Sequence, residues 1–137
     1  MAANTEPAKK VAESFAGGVA GELKTVKVGN VEVVLCWCPA GRFTMGSPPG
    51  EKDRLDDREA QVEVTLTTGF WMTRTEMTQE LYDTFMDENP SNFKSPNLPV
   101  ETVRHAEAVA CAAKLTQNLR EAHLLPDGWE IRLPTEA

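Results

Sequence analysis

The sequence predicts an α+β protein of short strands, two helices and long loops. Three observations carry that expectation. Apolar residues alternate with period two over 26–37 and 62–66, they recur at helical spacing over 81–86 and 108–119, and turn-forming residues crowd 46–50 and 91–99. A length of 137 residues suits one folding unit. With 41% hydrophobic and 26% charged residues, the composition is globular rather than disordered or collagen-like.

Residues 1–24 mix Ala, Gly, Lys and Glu around the single aromatic Phe15 and read as a flexible leader or marginal helix, leaving 25–137 as the folded body. Val26 and Val28 alternate with lysines, Gly29 and Asn30 form a two-residue turn, and Val31, Val33, Leu35 and Trp37 alternate again, which predicts a β-hairpin. Pro39, Ala40 and Gly41 break the second strand, and Phe43 and Met45 resume the alternation before the turn residues 46–50. Glu51, Asp53, Asp56, Asp57 and Glu59, interleaved with Lys52, Arg54 and Arg58, read as a solvated loop. Val62, Val64 and Leu66, then Phe70, Trp71 and Met72, predict one or two further strands.

Thr78 is a suitable N-cap, Glu80 sits where the helix dipole favours an acid, and Leu81, Tyr82, Phe85 and Met86 form one apolar face that Asn89 and Pro90 should terminate. A second helix is expected from about Arg104, with Ala108, Val109, Ala112, Leu115 and Leu119 as its buried stripe. Trp129–Leu133 reads as a short strand. Thr135 after Pro134 is a helix-start signal at the end of the sequence, which points to a truncated domain.

The net charge is −7, and because Lys9, Lys10, Lys24 and Lys27 outnumber the acids of the first thirty residues, the acidity belongs to the body. Such a field repels phosphate backbones and anionic headgroups, so neither nucleic acid nor a membrane surface is an expected partner. No apolar run after Lys10 has the length of a signal peptide core and none approaches a bilayer span, so the cytoplasm is the default expectation.

Few residues carry chemistry at a recognisable spacing. Gly41 and Gly46 have the separation of a phosphate loop, but Ser47 stands where that loop needs lysine. Cys36 and Cys38 share one face of a strand and could chelate a soft metal, yet a second ligand pair is missing, and Cys111 sits alone on a helix. The three thiols cannot all pair, so no disulfide framework is indicated. The acidic loop lacks the ordered spacing and glycine of a calcium loop. His105 and His123 have no serine or cysteine partner at motif spacing.

Five segments taken in order resemble one family. Pro39-Ala-Gly-Arg-Phe-Thr-Met-Gly-Ser47, Glu76-Met-Thr-Gln79, Asn89-Pro-Ser-Asn-Phe-Lys94, Leu98-Pro-Val-Glu-Thr-Val103 and Arg132-Leu-Pro-Thr-Glu-Ala137 are similar to motifs of the formylglycine-generating enzymes, or sulfatase-modifying factors. The resemblance implies a variant of the C-type lectin-like fold, of which 25–137 is the N-terminal part. For a full-length active member it implies oxidation of a cysteine in a sulfatase or another protein substrate to formylglycine, with molecular oxygen and copper(I) on two cysteines, and calcium supporting the fold. Those cysteines and calcium ligands belong to a later half, so the resemblance assigns no catalytic, cofactor or metal residue here. His105 stands where many members have tryptophan, and Ala106 takes a position that is commonly acidic. Other members bind ligands without known chemistry, so a lectin-fold binding module or an inactive truncated product is the alternative. Loss of a later half is also expected to uncover Phe70, Trp71, Leu81 and Phe85.

Overall fold

The computed structural model describes residues 6–55 and 58–137. In chain order the elements are α1 (Glu6–Ser14), β1 (Leu23–Val28), β2 (Val31–Cys38), β3 (Gly41–Met45), β4 (Val62–Leu66), β5 (Phe70–Thr73), α2 (Gln79–Phe85) and α3 (His105–Glu121). β2 lies at the centre of a three-stranded antiparallel sheet of order β1-β2-β5, and β3 and β4 form a separate antiparallel pair.

The register assigns each side chain of the larger sheet to a face. Val26 opposes Val33 and Val28 opposes Val31, so these four share the face that meets the helices. Trp37 opposes Trp71 on that same face. The other face carries Leu23, Cys36 and Met72 in one cross-strand row, beside Cys38 and Phe70 in the next.

Against the valine face pack Leu81 and Tyr82 of α2 and Cys111, Leu115 and Leu119 of α3, and together with Val28 they form the buried core. Thr78 caps α2, its Oγ1 accepting from the Leu81 amide at 3.4 Å. The helix stops at Phe85, earlier than the Asn89–Pro90 signal suggests, because Met86 is already extended. Asn89 instead turns back to bond the side chain of Gln79. At the start of α3, the Glu107 carboxylate accepts from the Arg104 amide at 2.8 Å, which satisfies one orphan donor even though Ala106 carries no charge.

Four expectations need correction. The buried stripe of α3 is Cys111, Ala112, Leu115, Thr116 and Leu119, so Ala112, Leu115 and Leu119 stand as expected, whereas Val109 is 47% exposed at the edge of the stripe, where it borders an open groove. Trp129–Leu133 is not a strand. Its backbone is held by α3 rather than by a ladder: the Ile131 amide donates to Thr116 Oγ1 at 2.8 Å, and that hydroxyl lies 2.9 Å from the Ala112 carbonyl and 3.2 Å from the Ile131 carbonyl. Leu81, expected to be uncovered, is buried, and Phe70, Trp71 and Phe85 are half-buried, while Phe43, Val62, Phe93 and Val109 stand out from the surface.

The fourth concerns the leader. Residues 1–5 lie outside the described residues, but 6–24 contain α1 and the opening of β1, two residues earlier than the alternation from Thr25 suggests. None of α1 is buried, yet Phe15, immediately after it, is 6% exposed.

Candidate functional site

Cys36 and Cys38 follow one another along the outer face of the larger sheet. The Cys38 thiol donates to the Cys36 carbonyl at 3.9 Å, and burial, with a smaller effect from Cys36, pushes its pKa above the ordinary thiol value. A bound soft metal would itself displace a thiol proton, so this shift leaves the pair able to act as two soft ligands, with no third His, Cys, Asp or Glu grouped with them among the described residues. Cys111 is 1% exposed in the core, its sulfur 3.6 Å from that of Met77, and burial raises its pKa against a smaller opposing effect of Lys114. The structure therefore keeps the three thiols as two separate features. At mildly alkaline pH, iodoacetamide is expected to label Cys36 and Cys38 first and Cys111 about tenfold more slowly or worse, as read by peptide mass spectrometry. Equal rates at all three would contradict the burial of Cys111.

Gly41 opens β3 and Gly46 closes it. A Cβ on Gly46 would lie 2.6 Å from the Ala60 carbonyl, and its φ of +99° is one that side chains disfavour, so the residue serves a tight crossing. The Ser47 amide donates to the Glu59 carbonyl at 3.2 Å and its hydroxyl to the Glu59 carboxylate at 2.6 Å. Arg54 donates to the carbonyls of Ser47 and Glu59. Gly46 and part of the acidic loop thus form one internally bonded turn, with Gly41 at the far end of β3 opposite Leu66, while Asp56 and Asp57 lie outside the described residues. Among the described residues, no group of three or more His, Cys, Asp and Glu is placed to hold a metal ion.

His105 is exposed at the first turn of α3, whereas His123 occupies the turn after it with φ +54°. His105 borders a cavity. An open groove of about 550 Å³ runs between α3 and the chain after Trp129, with Val109 and Ile131 among its apolar residues and His105, Arg120, Glu130 and Arg132 among its charged and titratable ones. Arg120 is tied to the Trp129 carbonyl at 2.8 Å.

The segment 89–102 is organised by two side chains, Gln79 and Glu101, that the sequence shows only as members of the motifs 76–79 and 98–103. Gln79, 2% exposed, donates to the carbonyls of Phe93 and Pro99 at 2.8 and 3.2 Å and accepts from Asn89 Nδ2 and the Ser95 amide at 3.0 and 3.3 Å. Glu101 accepts from the Thr102 hydroxyl, from the Phe93 amide at 3.1 Å and from the Asn92 amide. These bonds, that of Thr102 foremost, hold its carboxyl below the usual range. Because the folded pKa lies below the unfolded one, the stabilisation from Glu101 is complete above the unfolded value and is lost as pH falls through the folded value. Amide exchange at Asn92 and Phe93, corrected for intrinsic rates, should accelerate on acidification through that window, and a Glu101 carboxyl titration midpoint at the ordinary value would refute the account.

A third feature joins distant parts of the chain. The three tryptophans, Trp37, Trp71 and Trp129, gather around residues 14–18. The Phe15 ring lies 5.7 Å from that of Trp129 and 4.5 Å beneath Lys24 Nζ, and the Phe15 carbonyl accepts from Trp71 Nε1 at 3.0 Å. Lys24 Nζ also donates to the Ser14 carbonyl at 2.7 Å. Gly17 rests on the indole of Trp37, where an added Cβ would lie 2.0 Å from the ring. The only cue to this cradle in the sequence is a lone aromatic among alanines and glycines.

The short-stranded sheets, the hairpin and the two packed helices define the α+β class in its C-type lectin-like form, as used by formylglycine-generating enzymes. Residues 19–137 match the family described as Sulfatase-modifying factor enzyme 1-like domain, and the chain belongs to that family. A solved structure, Treponema denticola variable protein 1, is similar at 30% identity and a TM-score of 0.58 over 72% of this chain and 36% of that one. The chain thus spans about a third of that relative's length. Among curated proteins, none matches the chain significantly. Among the described residues, no helix is long and apolar enough to cross a membrane.

Proposed function

We propose that the chain is the N-terminal part of a sulfatase-modifying-factor domain whose whole protein oxidises a protein cysteine to formylglycine, or carries out a related oxygen-dependent oxidation. The observation that carries this reading is the family match over 19–137, together with a related structure of which the chain covers 36%. In this reading the chain supplies scaffold. Its sheet and two helices close one core, and exposed Phe43, Val62, Phe93 and Val109 offer apolar surface to further protein. In this reading copper chemistry and calcium binding belong to the later part of the domain, and Cys111 serves as a buried residue of the core.

The test uses the full-length protein from the parent gene, supplied with copper(I), oxygen and a reductant, and a sulfatase-derived peptide carrying one cysteine. Aldehyde on that peptide, captured by a hydrazide probe, together with oxygen uptake, supports the reading. A folded, copper-loaded protein that yields neither overturns it. The second reading, a non-catalytic lectin-fold binding module, is favoured by the groove along α3, with its cationic side chains over an apolar floor. Saturable ligand binding without aldehyde formation is its expected result.

A further inference from the structure

We propose that the Trp37–Trp71–Trp129 cradle is a recognition site for peptides in which an aromatic residue is followed by small ones, and that the chain's own residues 14–18 occupy it in cis. The occupant is held as a peptide ligand is held. Two consecutive backbone carbonyls, of Ser14 and Phe15, accept from Lys24 Nζ and Trp71 Nε1. The aromatic side chain is buried between Trp129 and the Lys24 ammonium. Two residues on, Gly17 lies so close to the Trp37 ring that any side chain would be excluded. Carbonyl contacts fix the backbone, the ring supplies the anchor, and the glycine sets a size limit, so the ligand reads as aromatic, then a spacer, then glycine.

Two independent observations mark the segment as an occupant rather than a part of the domain. The family match begins at residue 19, so Phe15 and Gly17 precede it, whereas all three tryptophans lie within it. The helix leading into the segment buries none of its residues, so Phe15 is the principal anchor of everything described before it. A tethered occupant of this kind acts at an effective concentration on the order of millimolar, which keeps a free peptide of ordinary affinity out of the site until the tether lets go.

The reporter is built in, since all three tryptophans of the protein line the cradle. The experiment titrates a synthetic peptide of residues 11–20 into the full chain and into its Phe15→Ala and Gly17→Val variants, following tryptophan emission, with a peptide lacking the phenylalanine as control. At least one variant that keeps the native far-UV spectrum is expected to bind the peptide about tenfold or more tighter than the unaltered chain does, and to ignore the control. A natively folded variant that shows red-shifted emission and yet binds no peptide overturns the proposal. So does failure of both variants to fold, because residues 14–18 are then part of the core and not a ligand.

Discussion

Gln79→Leu is expected to cost about 3–5 kcal/mol in urea unfolding and to loosen segment 89–102, because one substitution orphans four partners. A glutamine amide has two donor hydrogens and an acceptor oxygen with two lone pairs, and here each has a partner: two carbonyls for the nitrogen, an amide side chain and a backbone amide for the oxygen. Gln79 itself is 2% exposed, whereas Phe93 and Pro99 lie at the surface, so water recovers part of what their carbonyls lose and the half-buried Asn89 and Ser95 carry the rest. The backbone on either side reinforces this. The Gln79 amide donates to the Leu98 carbonyl at 2.9 Å and the Val100 amide to that of Met77 at 2.9 Å, so the loop is docked along the entrance to α2. Gln79→Glu is the sharper comparison. A carboxylate still accepts from Asn89 and Ser95 but faces the Phe93 and Pro99 carbonyls with no donor, so it should destabilise to a comparable degree despite nearly equal volume. A loss below about 1 kcal/mol for both variants would show that the bonds contribute little beyond what water replaces.

Where one physical effect decides a structure locally, the sequence is legible. The hairpin follows from alternation around a two-residue turn, α2 from its cap and apolar face, and α3 from spacing that survives despite its small residues. The family motifs, which span the same elements, identify the fold that these pieces share. Polar residues whose place is decided by distant partners are not legible in the same way. Gln79 looks like a surface residue at a helix start until the loop wraps it, and Thr116 looks solvent-facing until the chain after Trp129 comes to its hydroxyl. Val109 errs in the opposite direction, because helical spacing tells which residues share a stripe but not whether a neighbouring segment covers its edge. Phe15 was hidden by the low complexity around it. Alanine and glycine suggest a loose leader, yet glycine is what allows the approach to Trp37.

The contrast between the centre and the edge of the α3 stripe gives the second large effect. Leu115 is 4% exposed and packs in the cluster with Val28, Leu81, Tyr82 and Leu119, so Leu115→Ala removes buried methyl groups and leaves a cavity between the valine face of the sheet and both helices. The expected loss is about 2–5 kcal/mol, toward the upper end if the cluster cannot collapse onto the space. Val109 lies six residues earlier on the same helix and formed part of the same apolar pattern in the sequence, but it borders the open groove at 47% exposure. Val109→Ala should change stability by no more than about 0.5 kcal/mol. Measured side by side by urea unfolding, the pair separates a helix seated on Cys111, Ala112, Leu115 and Leu119 with Val109 open from one turned so that Val109 is buried with them. If Val109→Ala costs as much as Leu115→Ala, then α3 is rotated in solution, the groove beside it is closed, and the cationic residues on its rim face no cavity.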